Sequence, residues 1–310
     1  MVADLVVPFA LLAGSVVGLW LGARLFVESA VRLARRIGLS ELAIGLTVVA
    51  VGTSLPELTV SAEAALVGAG DIAIGNVIGS NVYNLAFILG FITLFGAIAV
   101  PRTLARRDGI VLFGATALAA LLLVDLRLGR FEAAVLMLAL AGYLLALTRA
   151  GAGPVVDGDE DRVFRPRDPA LLIGGLVIVL TSGHLLVSAA VDLARAVGLS
   201  EWAIGATVVA AGTSTPEFAV SVLALWRGQV GVSVGNLLGS NVFNALGVLG
   251  VAGLIQPLSV DSAALADLGW LLAVTEFVTV ALWSGHRLSR GEGGVLVGSE
   301  LTRWALDFLR

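Results

Sequence analysis

The sequence contains no cysteine and no lysine, and only 14% of its residues are charged. The absence of cysteine excludes disulfides, thiolate metal sites and cysteine nucleophiles. Of the 310 residues, 58% are hydrophobic, and the mean hydropathy of +1.00 lies far outside the range of soluble domains. The composition therefore predicts an integral membrane protein, and no nucleic-acid partner is expected.

Apolar runs of about 20 residues recur along the whole chain, and each can cross a hydrocarbon core of roughly 30 Å as a helix. They predict an all-α membrane protein with ten spans, the first of which is a retained helix rather than a signal peptide. The predicted spans cover residues 5–35, 40–68, 72–97, 106–124, 131–148, 169–196, 200–228, 231–256, 262–283 and 291–309.

Two segments of the chain return in its second half. Both copies are displaced by the same number of positions, which is called the repeat offset below. Residues 38–57 return as residues 198–217 with 16 of 20 positions identical, and residues 75–90 return as residues 235–250. Each copy belongs to a half of five spans, and an odd number of spans makes the second half enter the membrane from the opposite side. Two inverted-topology repeats are therefore predicted.

A polar stretch separates the two repeats and defines the domain organisation. We predict a first repeat over residues 1–150, a linker over residues 151–168 and a second repeat over residues 169–310. All 19 basic residues are arginine, and 13 of them fall in or beside connections on one face. The positive-inside rule then places that face and the linker in the cytoplasm and the N-terminus outside, in the cell (inner) membrane.

The last span is the weakest of the ten because Glu300, Arg303 and Asp307 interrupt it. Glu300 and Arg303 are spaced to pair at i, i+3. The segment fits either a tenth crossing or an amphipathic helix that lies on the membrane surface.

Spans 2 and 7 each carry the motif GTSxPE near their midpoint, with Pro56 and Pro216 inside an apolar helix. A proline there removes a backbone donor and displaces the carbonyl four residues earlier. Such irregular backbone is tolerated in a membrane where it lines a cavity or is buried in protein. Each motif therefore offers backbone carbonyls, two hydroxyls and one carboxylate. The side chains are those of Thr53, Ser54 and Glu57, and of Thr213, Ser214 and Glu217.

Spans 3 and 8 each carry GNxxGSNxxN, which places amides and hydroxyls in the membrane interior. These residues are Asn76, Ser80, Asn81 and Asn84, and Asn236, Ser240, Asn241 and Asn244. Ser80 and Asn84 are four apart and share a helical face, whereas Asn76 and Asn236 are expected to tie down helix ends. Around a pseudo-two-fold axis, the four segments form a cage of oxygen ligands with two carboxylates. Such a cage suits a hard cation, calcium or sodium, and disfavours transition metals.

These paired motifs resemble the alpha repeats of the cation/calcium exchanger superfamily, particularly the prokaryotic sodium/calcium exchangers, over nearly the whole chain. The resemblance implies ten helices with helices 2, 3, 7 and 8 discontinuous, calcium and sodium as transported ions, and alternating access by sliding of helices 1 and 6. No cofactor is expected, and the protein is expected to function as a monomer. The expected ion ligands are Glu57, Glu217, Asn84, Asn244, Thr53, Thr213, Ser54, Ser214, Ser80, Ser240 and the backbone carbonyls of Ala50 and Ala210.

Several functions fit these motifs to different degrees. Several relatives, including the potassium-dependent branch, carry Asp at the position of Asn244. The asparagine in this chain therefore disfavours potassium dependence. Sodium-driven calcium antiport is the leading hypothesis. Proton/calcium exchange is the alternative, and it must run through Glu57 or Glu217 because asparagine cannot ionise. A cation channel is less favoured, and an intramembrane hydrolase lacks a nucleophile with a base.

The remaining membrane charges are interpreted as structural. Glu28 lies four residues from both Arg24 and Arg32, which predicts ordinary ion pairs within one helix. Glu63 and Glu276 have no acidic counterpart in the other half, so no transport role is expected for them.

Overall fold

The computed structural model describes residues 2–100, 102, 104–149, 164–196 and 210–309. The chain there is helical apart from short turns and four two-residue strands. The helices are α1 (Val2–Arg36), α2 (Glu41–Thr53 and Leu55–Leu66), α3 (Gly70–Phe95), α4 (Gly109–Leu122, preceded by a π-helical turn at Leu104–Asp108), α5 (Arg130–Arg149), α6 (Asp168–Ala196), α7 (Ala210–Thr213 and Thr215–Trp226), α8 (Val230–Ile255), α9 (Ala264–Gly285) and α10 (Arg290–Leu309). The strands are β1 (Ile98–Ala99), β2 (Arg127–Leu128), β3 (Leu258–Ser259) and β4 (Arg287–Leu288).

Every predicted span corresponds to one of these helices. Six of the described helices are long and apolar enough to cross a membrane, namely α1, α3, α5, α6, α8 and α9. The two arms of α2 make a seventh crossing if they count as one span, with a bend of 46° between them. Most of the predicted linker, and residues 197–209 at the start of the seventh span, lie outside the described residues.

The predicted discontinuity takes two different forms in the structure. In α2 and α7 the helix ends and restarts around Ser54 and Ser214. In α3 and α8 the helix continues, but it widens into π-helical segments at Tyr83–Leu89 and Asn244–Val248. Neither segment contains a proline to break the helix, and π-helical turns occur frequently at functional sites.

Two short strand pairs join the halves and reveal their inverted relation. β1 pairs antiparallel with β4, so that Ile98 faces Leu288, and β2 pairs antiparallel with β3, so that Leu128 faces Leu258. The repeat offset converts one pair into the other, as expected for a two-fold axis. Because α4 separates β1 from β2, the two pairs lie on opposite faces of the bundle. The face with β1 and β4, to which α5 returns before the linker, is called the linker face below.

The helices divide into a central and a peripheral set. Within the most apolar window of each helix, 72% of residues in α3 and 78% in α8 are buried, against 33% in α1 and 22% in α6. The site-bearing helices α3 and α8 therefore form the centre, and α1 and α6 lie at the edge.

The peripheral helices α1 and α6 pack closely against each other. A Cβ atom on Gly22 would lie 2.8 Å from the backbone nitrogen of Val179, and one on Gly175 would lie 2.6 Å from that of Phe26. The neighbouring Gly174 has nothing within 4 Å. Close backbone approach at small residues makes α1 and α6 one packed pair.

The last helix packs antiparallel along α3. A Cβ atom on Gly90 would lie 3.0 Å from the carbonyl oxygen of Gly293, and the ring of Trp304 stacks at 6.1 Å from that of Tyr83. In the first half, α5 packs on α8 in the same way, around Gly250. This arrangement favours a crossing helix over a surface-lying one.

The charges that interrupt the last helix form the predicted i, i+3 pair. Arg303 donates to Oε1 of Glu300 at 2.6 Å, and Glu300 is fully buried. The ion pair neutralises a carboxylate that would otherwise be costly inside the bundle.

Candidate ion-binding site

The GTSxPE motif places its functional groups at a gap in the helix. In α2 the first arm ends at Thr53, Ser54 lies between the arms with φ −84° and ψ 12°, and Pro56 lies in the first turn of the second arm. Pro56 has no N–H to donate to the carbonyl of Gly52, so the ladder of helix bonds is interrupted there. Ser214 adopts nearly the same conformation in α7, with φ −88° and ψ 10°.

The two halves hold each other's carboxylates. Ser54 Oγ donates to Oε1 of Glu217 at 2.9 Å, and Ser214 Oγ donates to Oε1 of Glu57 at 3.1 Å. All four residues are fully buried. The crossed bonds show that the two motifs, which lie in different halves of the sequence, meet at one place in the fold.

The remaining predicted hydroxyls join the same cluster. Thr53 Oγ1 lies 3.3 Å from the carbonyl oxygen of Ala50 and 3.4 Å from Oγ of Ser240. Ser240 in turn lies 3.4 Å from both the carbonyl of Ala50 and Oε1 of Glu217. α8 thereby closes against the break in α2.

The equivalent contact in the other half joins Ser80 and Thr213. Their hydroxyl oxygens lie 3.4 Å apart, so α3 closes against the break in α7. Ala210, the counterpart of Ala50, is the first described residue of α7.

Several buried polar atoms of the predicted site have no hydrogen-bond partner among the described residues. These are Oε2 of Glu57 and Glu217, both amide atoms of Asn84 and Asn244, and Oδ1 of Asn81 and Asn241. Leaving a buried polar group unpaired is costly, so these atoms are available for a ligand. The described residues contain no cluster of three or more His, Asp or Glu side chains, so the site differs from a transition-metal centre.

Asn76 fixes the helix beside the carboxylate. Its Nδ2 donates to the backbone carbonyl of Glu57 at 3.1 Å and to Oγ of Ser61 at 2.9 Å. Asn76 therefore ties α3 to α2 at the position of the carboxylate itself, rather than at a helix end as expected.

Asn236 occupies the equivalent position in the second half. Its Nδ2 donates to Oγ of Ser221 at 3.0 Å, and its Oδ1 accepts from Thr53 at 3.1 Å. Ser61 and Ser221 are not among the residues predicted from the sequence. The signal was present, because both serines follow the motif glutamate by four positions and recur at the repeat offset.

Known proteins that are similar to this chain identify its family. The family described as "Sodium/calcium exchanger protein" matches residues 7–149 and 168–299. The putative antiporter CaxA of Alkalimonas amylolytica is 35% identical over 94% of this chain and 96% of its own length. The sodium/calcium exchanger MaX1 of Methanosarcina acetivorans is 28% identical over 94% and 95%.

A solved structure shares the whole fold. The sodium-calcium exchanger NCX_Mj, soaked with zero Na+ and Ca2+, aligns over 100% of both chains with a TM-score of 0.85 and 31% identity. The same exchanger soaked with 2.5 mM Na+ and 0.1 mM Ca2+ aligns over 96% of this chain and 98% of its own, with a TM-score of 0.84 and 30% identity. With its family match, its full-length relatives and this fold, the chain belongs to the sodium/calcium exchanger family of membrane transporters.

Proposed function

We propose that this protein is a secondary antiporter that exchanges calcium for sodium by alternating access at the buried site between α2, α3, α7 and α8. The observation that carries the proposal is the pair of fully buried glutamates, Glu57 and Glu217, each with one carboxylate oxygen that has no hydrogen-bond partner among the residues that the structure describes. Neither forms an ion pair with a described residue. A bound cation would supply the missing positive charge.

The oxygens offered by the site suit the proposed substrates. Calcium takes six to eight oxygen ligands in flexible geometry. The free atoms of the glutamates and of Asn84 and Asn244 supply carboxylate and amide oxygens, and the carbonyl of Ala50 with the surrounding hydroxyls supplies more. We propose as ligands the full set named from the sequence. Two carboxylates balance one divalent ion or two monovalent ions, which is a simple basis for competition between calcium and sodium.

The packing of α1 and α6 supports a moving pair. These two helices contact each other closely, and both are much less buried than the central helices α3 and α8. Cavities of about 390 and 430 Å³ lie between them and the bundle, one beside each broken helix. In this proposal the pair slides as one unit and opens the site to alternate faces.

Sodium-driven calcium uptake into proteoliposomes tests the proposal. Vesicles loaded with sodium and diluted into sodium-free medium should accumulate calcium, and Glu57→Gln or Glu217→Gln should abolish uptake by removing a charge that the cation needs. Glu63→Gln is the matched control, because Glu63 is an exposed acid on the same helix as Glu57. Uptake should survive that change.

The same assay separates the alternative. Proton/calcium exchange would appear as uptake driven by a pH gradient in the absence of sodium. Absence of uptake under both gradients, with protein that elutes as a folded species, would contradict antiport altogether.

A further inference from the structure

An apolar groove runs along the outer side of α7. Its volume is about 390 Å³, and it extends from Thr215, beside the helix break, to Trp226 at the last turn of α7. The walls include Leu19 and Trp20 of α1, Phe87 of α3, and Phe218, Val222 and Trp226 of α7. The hydroxyl of Thr215 is bonded to a carbonyl of its own helix, so the groove offers little to a hydrated ion. Its length of about 16 Å along the helix and its apolar walls suit a hydrocarbon chain.

Two partly exposed arginines flank the end of the groove at the linker face. The guanidinium of Arg24 lies 5.8 Å from the ring centre of Trp20, and Arg227 directly follows Trp226. Their side chains are 45% and 36% exposed. The tryptophan rings therefore lead from the apolar groove to the two cationic groups.

Glu28 is shared between these arginines. Its Oε1 accepts from Arg24 at 3.1 Å and from Arg227 at 2.8 Å, while Arg32 lies 3.7 Å away and bonds mainly to Asp168, at 2.9 Å. The predicted pairs of Glu28 with Arg24 and Arg32 within α1 are present, and the turn after α7 adds Arg227 from the other half of the chain. Among the described residues, three guanidiniums thus face two carboxylates, and one positive charge is left over at the mouth.

The arginine pair has no counterpart in the other half. A second cavity, of about 430 Å³, lies beside Pro56 and Thr59 of α2 and is also lined by Gly212 and Pro216 of α7. At the repeat offset, Arg24, Glu28 and Arg227 correspond to His184, Ser188 and Val67. The repeated fold has the arginine pair in one half only, so the fold itself does not require these charges.

We infer that the groove along α7 binds an anionic phospholipid from the leaflet on the linker face. The acyl chain lies along α7, and the phosphate is held by Arg24 and Arg227, whose free donors match phosphate oxygens. Basic side chains near a membrane surface attract anionic lipids in this way. The inference does not depend on which ions are exchanged.

Native mass spectrometry of the detergent-purified protein, titrated with phosphatidylglycerol or phosphatidylcholine of the same chain length, tests this inference. Phosphatidylglycerol should bind more tightly, by about fivefold for each contributing arginine. Arg24→Gln with Arg227→Gln should abolish the preference. Arg227→Lys should retain the preference for phosphatidylglycerol, because the positive charge is kept. This variant also controls for a folding defect caused by substitution at position 227. Arg287→Gln, an exposed arginine on the same face away from the groove, should leave the preference unchanged.

A second set of measurements locates the acyl chain. Ala219→Phe narrows the groove and should weaken binding of phosphatidylglycerol. Thr59→Phe should not, because Thr59 is the residue that corresponds to Ala219 at the repeat offset and it lines the second cavity instead. Soluble glycerol 1-phosphate should fail to displace the lipid. Equal affinity for both lipids, an equal loss in Arg287→Gln or Thr59→Phe, or displacement by glycerol 1-phosphate would overturn the inference.

Discussion

At the scale of single residues, the site is held together by two reciprocal hydrogen bonds between the halves of the chain. Each site glutamate accepts from the serine of the opposite half, and its second oxygen has no partner in the described part of the chain. The serine fixes one carboxylate oxygen and leaves the other available to a ligand. A change in one half should therefore be felt at the acid of the other.

Ser54→Ala should weaken calcium binding through Glu217. A hydrogen bond to a charged group contributes about 1.5–3 kcal/mol, so its loss should lower the apparent calcium affinity of exchange by about tenfold or more. Ser214→Ala should have a similar effect through Glu57. The measurement is the calcium dependence of sodium-driven uptake, with Ser188→Ala on the exposed side of α6 as control. Equal affinities for all three variants would contradict the positioning role.

Asn244→Asp should increase the positive charge that the site must bind in order to be electrically neutral. A third buried carboxylate needs an additional proton or monovalent cation to offset it. Uptake at neutral pH should fall, and it should recover at lower pH or with added potassium. Asn244→Ala removes the same oxygen without adding charge and should show no such recovery. A pH and potassium profile identical to that of the unchanged protein would argue against Asn244 as a ligand.

Much of this residue chemistry could be predicted from the sequence. Polar groups that recur at a constant offset in apolar helices identified most side chains of the cluster. The repeat did not predict which serine donates to which glutamate. The repeat offset relates equivalent positions of the two halves, and it gives no information on which residues are in contact. Glu28 shows the same limit, since its partner Arg227 lies in the other half of the chain.

At the scale of elements, two kinds of irregular helix surround the site. The prolines predicted the breaks in α2 and α7, because a residue without a backbone N–H interrupts the hydrogen bonds of a helix. The π-helical segments of α3 and α8 had no such signal. Each contains or begins at an asparagine whose amide has no hydrogen-bond partner among the described residues. Their geometry depends on packing in the centre of the bundle, which the sequence of one helix does not report.

Gly175→Ala should destabilise the protein by forcing α1 and α6 apart. The new Cβ would lie 2.6 Å from a backbone nitrogen of α1, and that atom cannot turn aside as a side chain can. Overpacking of this kind costs about 1–3 kcal/mol. Gly174→Ala, one position earlier with nothing within 4 Å, is the matched control. Thermal unfolding in detergent should show a lower midpoint for Gly175→Ala, and equal midpoints would contradict the close packing.

At the scale of the whole molecule, the arginine distribution predicts which face is cytoplasmic. The chain has no native cysteine, so single-cysteine variants can be labelled without background. Arg287→Cys on the linker face should react with an impermeant maleimide only after cells are permeabilised. Ser262→Cys, exposed in the connection between α8 and α9, should react in intact cells. The reverse pattern would place the linker outside.

The crossed strand pairs have a consequence for how such a chain could originate. Each pair takes one strand from each half, as each carboxylate takes its serine from the other half. A polypeptide of half this length would have neither a closed strand pair nor a complete site. Two copies of it inserted in opposite directions would have both. The structure is therefore the one expected from the gene fusion of a dual-topology dimer, and the excess of arginine on one face is what a fused chain needs to hold a single orientation.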